Sequence, residues 1–171
     1  MNKLIRILFV IICVSTVLCM IPYERSITFV ETRSENSIIY YRPLENIDEF
    51  QIIYTHSIHL TDVYENYVAL PSNAIQLLSM EYSDVAIGMP GYAEEGQTLH
   101  YENGIYKLQY DDAKVNNFVL HIGNVDYRLD LQHKNETVEL KKILTRGKSY
   151  DVQIQKLSFY EKMKGVELNE Q

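Results

Sequence analysis

The chain predicts an all-β fold: a single antiparallel β-sandwich or barrel-like domain after one N-terminal membrane helix. Three observations point there. Short alternating apolar and polar runs recur from Ile27 onward, broken by turn residues, the pattern of many half-buried strands. Fourteen tyrosines stand against five phenylalanines and no tryptophan, and tyrosine with β-branched residues suits a pleated surface. The one long apolar run lies at the N-terminus, behind Lys3 and Arg6.

That run, from Ile7 to Ile21, is interrupted only by the mildly polar Ser15 and Thr16. Positive residues ahead of an apolar stretch mark a secretory signal or a signal anchor. Val17-Leu18-Cys19-Met20-Ile21 offers no convincing small residues for a signal peptidase, and neither Cys13 nor Cys19 follows the small residue a lipoprotein signal requires. An uncleaved anchor over residues 1–22 is therefore favoured over a removed signal peptide. Counted to Tyr23 the run has seventeen residues, the short edge of a membrane span. Lys3 and Arg6 orient a single pass with the amino terminus in the cytoplasm and the rest outside.

Both cysteines lie inside this run, so the region beyond it has no disulfide, thiol nucleophile or thiolate ligand. Beyond Pro22 there are 14 basic and 23 acidic side chains, a net of −9. An acidic domain is a poor match for nucleic acid or anionic lipid headgroups, and the N-terminal helix is the expected membrane contact. It suits cations, basic partners or solubility alone.

The predicted domain covers residues 23–160. Ile27 to Thr32 and Ser37 to Arg42 flank Arg33-Ser-Glu-Asn36 as a first hairpin. Phe50 to Ile58 and Val63 to Leu70 follow, then Ala74 to Tyr82, which as a short apolar run also admits a helical turn. Gly88-Met89-Pro90-Gly91 is a loop, readable as punctuation or as a rigid lip presenting Met89. Asn103-Gly104 joins Thr98–Glu102 to Ile105–Tyr110, because both turn positions tolerate positive φ. Gly123-Asn124 is expected to join Phe118–Ile122 to Val125–Leu131 in the same way. Thr137 to Leu144 and Tyr150 to Ser158 flank Arg146-Gly-Lys148, and residues 161–171 read as a polar, fraying tail.

The chemistry concentrates in Tyr54-Thr-His-Ser-Ile-His-Leu-Thr-Asp-Val-Tyr-Glu65. A two-residue turn at Thr61-Asp62 sets His56 opposite Tyr67 and Ile58 opposite Glu65. Tyr54, His56, Glu65 and Tyr67 then share one face, with His56 and Glu65 diagonal neighbours. A three-residue turn reverses that parity. Strand alternation points Ser57 away from His56, and the chain has no Gly-x-Ser-x-Gly elbow, so nucleophilic catalysis is not expected. His56, His59, Glu65, His100, His121 and His133 include metal-ligand types, but His-x-x-His spacing suits a helix face better than one side of a strand. No metal or other cofactor is predicted. The plain reading is a satisfied His56–Glu65 pair fixing register, with His59 solvated. The sharper reading is a binding patch of Tyr54, His56, Ser57 and Glu65, with Met89 on its loop.

Phe50, Tyr54-Thr55-His56-Ser57, Val63, Glu65 and Gly88-Met89-Pro90 together resemble a family of uncharacterised bacterial exported proteins carrying a domain of unknown function. Members of that family are often encoded beside TRAP-type (tripartite ATP-independent periplasmic) transporters that use TAXI-type solute receptors. They often carry an acidic residue and a proline between His-Ser and Val, where this chain has His59 and Asp62. The resemblance implies a membrane-tethered, non-enzymatic accessory to the uptake of an organic anion, with the transporter or its receptor as partner. It brings no catalytic residues.

Overall fold

The computed structural model describes residues 3–35, 37–45, 47–85 and 88–169. Asn36 of the first expected turn lies outside them. Helix α1 (Lys3–Met20) contains no buried residue and has a mean hydropathy of 2.3, long and apolar enough to be a membrane anchor or a signal sequence. Ile21 alone separates it from strand β1 (Pro22–Glu31).

Twelve strands follow among the described residues. Beyond β1 they are β2 (Ile39–Pro43), β3 (Asp48–Thr55), β4 (Asp62–Ala69), β5 (Ile75–Tyr82), β6 (Gln97–Glu102) and β7 (Ile105–Val115). Then come β8 (Asn117–His121), β9 (Leu129–His133), β10 (Glu136–Glu139), β11 (Ser149–Ser158) and β12 (Val166–Glu167). Two short helices interrupt them, α2 (Leu140–Ile143) and α3 (Phe159–Lys164). The strands form a five-stranded sheet, β12-β2-β1-β11-β8, and a seven-stranded sheet, β10-β9-β3-β4-β5-β7-β6.

The sheets bury one face each against the other. Ile27 and Phe29 of β1 and Val152 and Ile154 of β11 share a core with Phe50, Ile52, Leu131 and Val138 of the larger sheet. This is the all-β sandwich expected from the alternation, and the ambiguous run after Ala74 resolves as strand β5, Ile75–Tyr82.

Three expectations fail, each for want of long-range information. Gly123-Asn124 does not close a hairpin: β8 pairs with β11, whereas β9 pairs with β3 and β10. Nor is Thr137–Leu144 one strand run, for β10 ends at Glu139 and the chain turns into α2 before crossing between sheets. The tail from residue 161 is not loose as far as Asn169. Ser158 and Glu161 form a capping box at the start of α3, β12 adds in parallel to β2, and Leu168 is fully buried.

An inter-sheet network seals that end. Arg42 of β2 donates to Leu168 O (3.0 Å), Asn169 Oδ1 (3.0 Å) and Glu136 Oε2 (2.5 Å). It also donates to His133 Nδ1, while His133 Nε2 lies 2.9 Å from Asp48 Oδ2. Asp48 is desolvated, but the Glu45 N–H and the His133 contact outweigh that and hold its pKa below the usual range.

Candidate functional site

The hairpin β3–β4 pairs Tyr54 with Val63, Ile52 with Glu65 and Phe50 with Tyr67. The expected parity holds but the register lies six residues closer to the start of β3. Tyr54, Glu65 and Tyr67 therefore share a face as predicted, whereas His56 falls outside the strand and does not stand opposite Tyr67. β3 ends at Thr55 because Thr55 Oγ1 donates to Asp62 Oδ1 (2.8 Å) and a turn of residues 56–61 closes the hairpin, with His56 N donating to Thr61 O (2.8 Å). Ser57 and Ile58 are exposed in that turn, so the alternation invoked to part Ser57 from His56 does not reach them. His59 is not merely solvated: its Nδ1 lies 2.8 Å from Asp84 Oδ2, and its ring is 5.7 Å from that of His56.

Glu65 is the centre of what remains. Tyr67 OH donates to its Oε2 at 2.6 Å and Tyr54 OH to its Oε1 at 3.2 Å. These two donors replace the predicted partnership with His56. Burial raises the Glu65 pKa above the ordinary value, and the tyrosine hydroxyls recover only part of the lost solvation. Burial, then the facing carboxylate, pushes both tyrosine hydroxyls far up, so they stay protonated donors. Tyr110 of β7 is raised as well, by burial and by the Glu65 charge. The registers on both sides of β5 skip Leu78, a bulge beside this cluster of the kind that re-aims side chains.

Aromatic stacking fixes the wall. Phe50 stacks on Tyr67 (5.3 Å between centroids) and Tyr67 on Phe118 (5.4 Å), so β8 of the smaller sheet is clamped over β3 and β4. Between them opens a cleft of about 470 Å³, with Glu65, Tyr54 and Tyr67 on one wall and Phe118, Leu120 and His121 on the other. Arg128 and Lys141 stand at its edge already engaged. Arg128 donates to Asp62 (2.8 Å) and Asp130 (2.6 Å), and these bonds raise its pKa further. Lys141 donates to Tyr127 O (2.6 Å) and Val125 O (2.8 Å). A neighbouring cleft of about 620 Å³ shares that edge, and its Lys142–Glu139 and Arg146–Asp126 pairs satisfy each other.

The cleft lies at the end of the sandwich away from α1. β1 leaves the helix at Pro22, opposite Ser158, and its far end at Glu31 lies opposite Tyr150. There Ser149 pairs with His121, which lines the cleft beside Thr55 and Ser57.

Of the five predicted binding residues, Tyr54, Ser57 and Glu65 line this cleft and His56 and Met89 do not. Met89 is half-buried against Val63, Tyr82 and Leu108, on a loop clipped down by Tyr82 OH donating to Pro90 O (2.5 Å). Tyr54 bridges that cluster and the main core. Tyr110 and Tyr67 had a signal, their alternation with Leu108 and Glu65; Phe118, Arg128 and Lys141 arrive by inter-sheet packing and had none. Among the described residues, no three His, Cys, Asp or Glu side chains stand together as a metal site.

No curated protein and no solved structure matches the chain. One family, described as a domain of unknown function (DUF1850), matches residues 50–140, from Phe50 in β3 to Leu140 at the start of α2. The span contains Tyr54, Glu65, Tyr67, Phe118 and Arg128, hence both walls of the cleft. The chain belongs to this DUF1850 family.

Proposed function

We propose that the protein is a membrane-anchored, extracytoplasmic accessory factor in solute uptake, working beside a TRAP-type transporter or its TAXI-type receptor and catalysing no reaction itself. The observation that carries this reading is the junction of helix and domain: an apolar helix with no buried residue runs into the central strand of a sheet with one residue between. A domain joined that tightly to a membrane segment works at the membrane surface. Lys3 and Arg6 ahead of the helix favour an outside location for the domain. The transporter setting rests on the Tyr54-Thr-His-Ser57 run, Glu65 and the Gly88-Met-Pro90 loop. Tagged protein purified from native membranes in mild detergent should bring the transporter or its receptor with it. Reproducible absence of both, with the tagged protein intact, sinks the proposal.

One observation favours a second reading, a small-ligand site: the half-buried Glu65 carboxylate facing a 470 Å³ cleft with aromatic walls. A carboxylate there repels organic acids and favours amines or hydroxyl-bearing molecules. Thermal-shift screens of organic acids, amines and divalent metals, repeated on Glu65→Gln, separate the readings. A shift that requires Glu65 supports the ligand site, and no shift with intact co-purification supports the accessory role.

A further inference from the structure

The last residue of β11 returns to the point where α1 ends. Pro22 pairs with Ser158, so α3 begins beside the base of the membrane helix and packs near it. The start of α3 is fixed: Ser158 Oγ accepts from Glu161 N (3.2 Å), and Glu161 Oε2 accepts from Ser158 N (2.8 Å). Its end is fixed too, because Gly165 runs so close to β2 that a Cβ there would meet Ile39 O at 2.6 Å. A six-residue helix held at both ends is a rigid part of the domain.

Yet α3 buries none of its residues. Phe159 is 48 %, Tyr160 39 % and Met163 67 % exposed, and Met20, Ile21 and Tyr23 at the foot of α1 are exposed as well. Lysines accompany them. Lys164 Nζ sits 4.4 Å from the Tyr160 ring centroid, and Lys162 pairs with Glu24 while lying over the Tyr23 ring. Apolar and aromatic side chains with adjacent lysines are what the boundary between lipid headgroups and acyl chains accommodates. The acidic character of the domain does not oppose this, since the contact needs no anionic lipid.

We propose that α3 is a foot that stands in the lipid surface: Phe159, Tyr160 and Met163 enter the headgroup–acyl boundary of the leaflet from which α1 emerges. Two attachments, α1 and α3, then fix the tilt of the sandwich and hold the Glu65 cleft, at its opposite end, away from the bilayer. This rests on the anchored reading given above.

The absence of tryptophan makes the test direct. The full chain carrying Met163→Trp, and separately Phe159→Trp, is reconstituted in phosphatidylcholine vesicles with bromines high on the acyl chains. Ile58→Trp, exposed in the turn at the far end, is the control. Emission from residue 163 or 159 should fall by roughly half relative to unbrominated lipid, as for a side chain held at the boundary, and Ile58→Trp should stay nearly unchanged. If the protein floats with the vesicles but neither α3 probe is quenched more than the control, the foot is overturned and the anchor stands. If the protein does not float with the vesicles, the anchored reading falls and the foot falls with it.

Discussion

Replacing Leu168 with alanine tests whether the chain after α3 belongs to the core. The leucine is fully buried among residues from both sheets, while its backbone N–H donates to Tyr41 O (2.8 Å) and its carbonyl accepts from Arg42 (3.0 Å). Alanine keeps both backbone bonds and removes only the side chain. The lost transfer energy plus the cavity amounts to about 3 kcal/mol. In a domain of this size that lowers the melting temperature by about 12 °C. Val166→Ala, two residues earlier and 40 % exposed, should change stability by less than about 0.5 kcal/mol. Thermal unfolding of the full chain in mild detergent, followed by tyrosine fluorescence, reads both. Equal melting temperatures for the two variants would refute the docking of the tail.

The two hydroxyls on Glu65 should be unequal: Tyr67→Phe, losing the 2.6 Å bond, costs about 2 kcal/mol, and Tyr54→Phe, losing the 3.2 Å bond, about 1 kcal/mol in urea unfolding. The reverse order counts against the geometry. Because burial raises the Glu65 pKa in the folded state, its contribution is fully present below the unfolded value near 4.5 and is lost as pH rises through the folded one. Glu65→Gln should therefore gain on the wild type as pH rises above the unfolded value near 4.5, and a difference that shrinks on that side contradicts the assignment. Gly104→Ala, at φ +83° in the β6–β7 turn, should cost about 1 kcal/mol by chemical denaturation, with an unchanged melt marking a turn that tolerates a side chain.

Local chemistry carried well from the sequence and distant pairing did not. Asn103-Gly104 specifies its own turn, both residues at positive φ, and β6–β7 closes as expected. The parity of β3 and β4 survives a six-residue slip because side-chain direction repeats every two residues, so Tyr54, Glu65 and Tyr67 were legible as one face. The slip itself was not legible. It depends on Asp62 preferring Thr55 and Arg128 to a tight turn, and Arg128 lies 66 positions away. The partner of β8 and the burial of Leu168 share that cause: each is decided by a strand that is not its neighbour in sequence. The opposite wall of the cleft, Phe118 to His121, belongs to the same class.

The pairing of β1 with β11 has a consequence for how the molecule comes to be folded. Thr28 bonds to Gln153, 125 positions along the chain, and β1 is flanked on its other side only by the five residues of β2. The strand nearest the apolar helix must therefore wait, with one edge unsatisfied, until nearly all the remaining sequence has been made and delivered. Closing so long a loop is slow, and an open edge is a template for other chains. Assembly of this protein should be most vulnerable in that interval, and β1 is where a chaperone would have the most to cover.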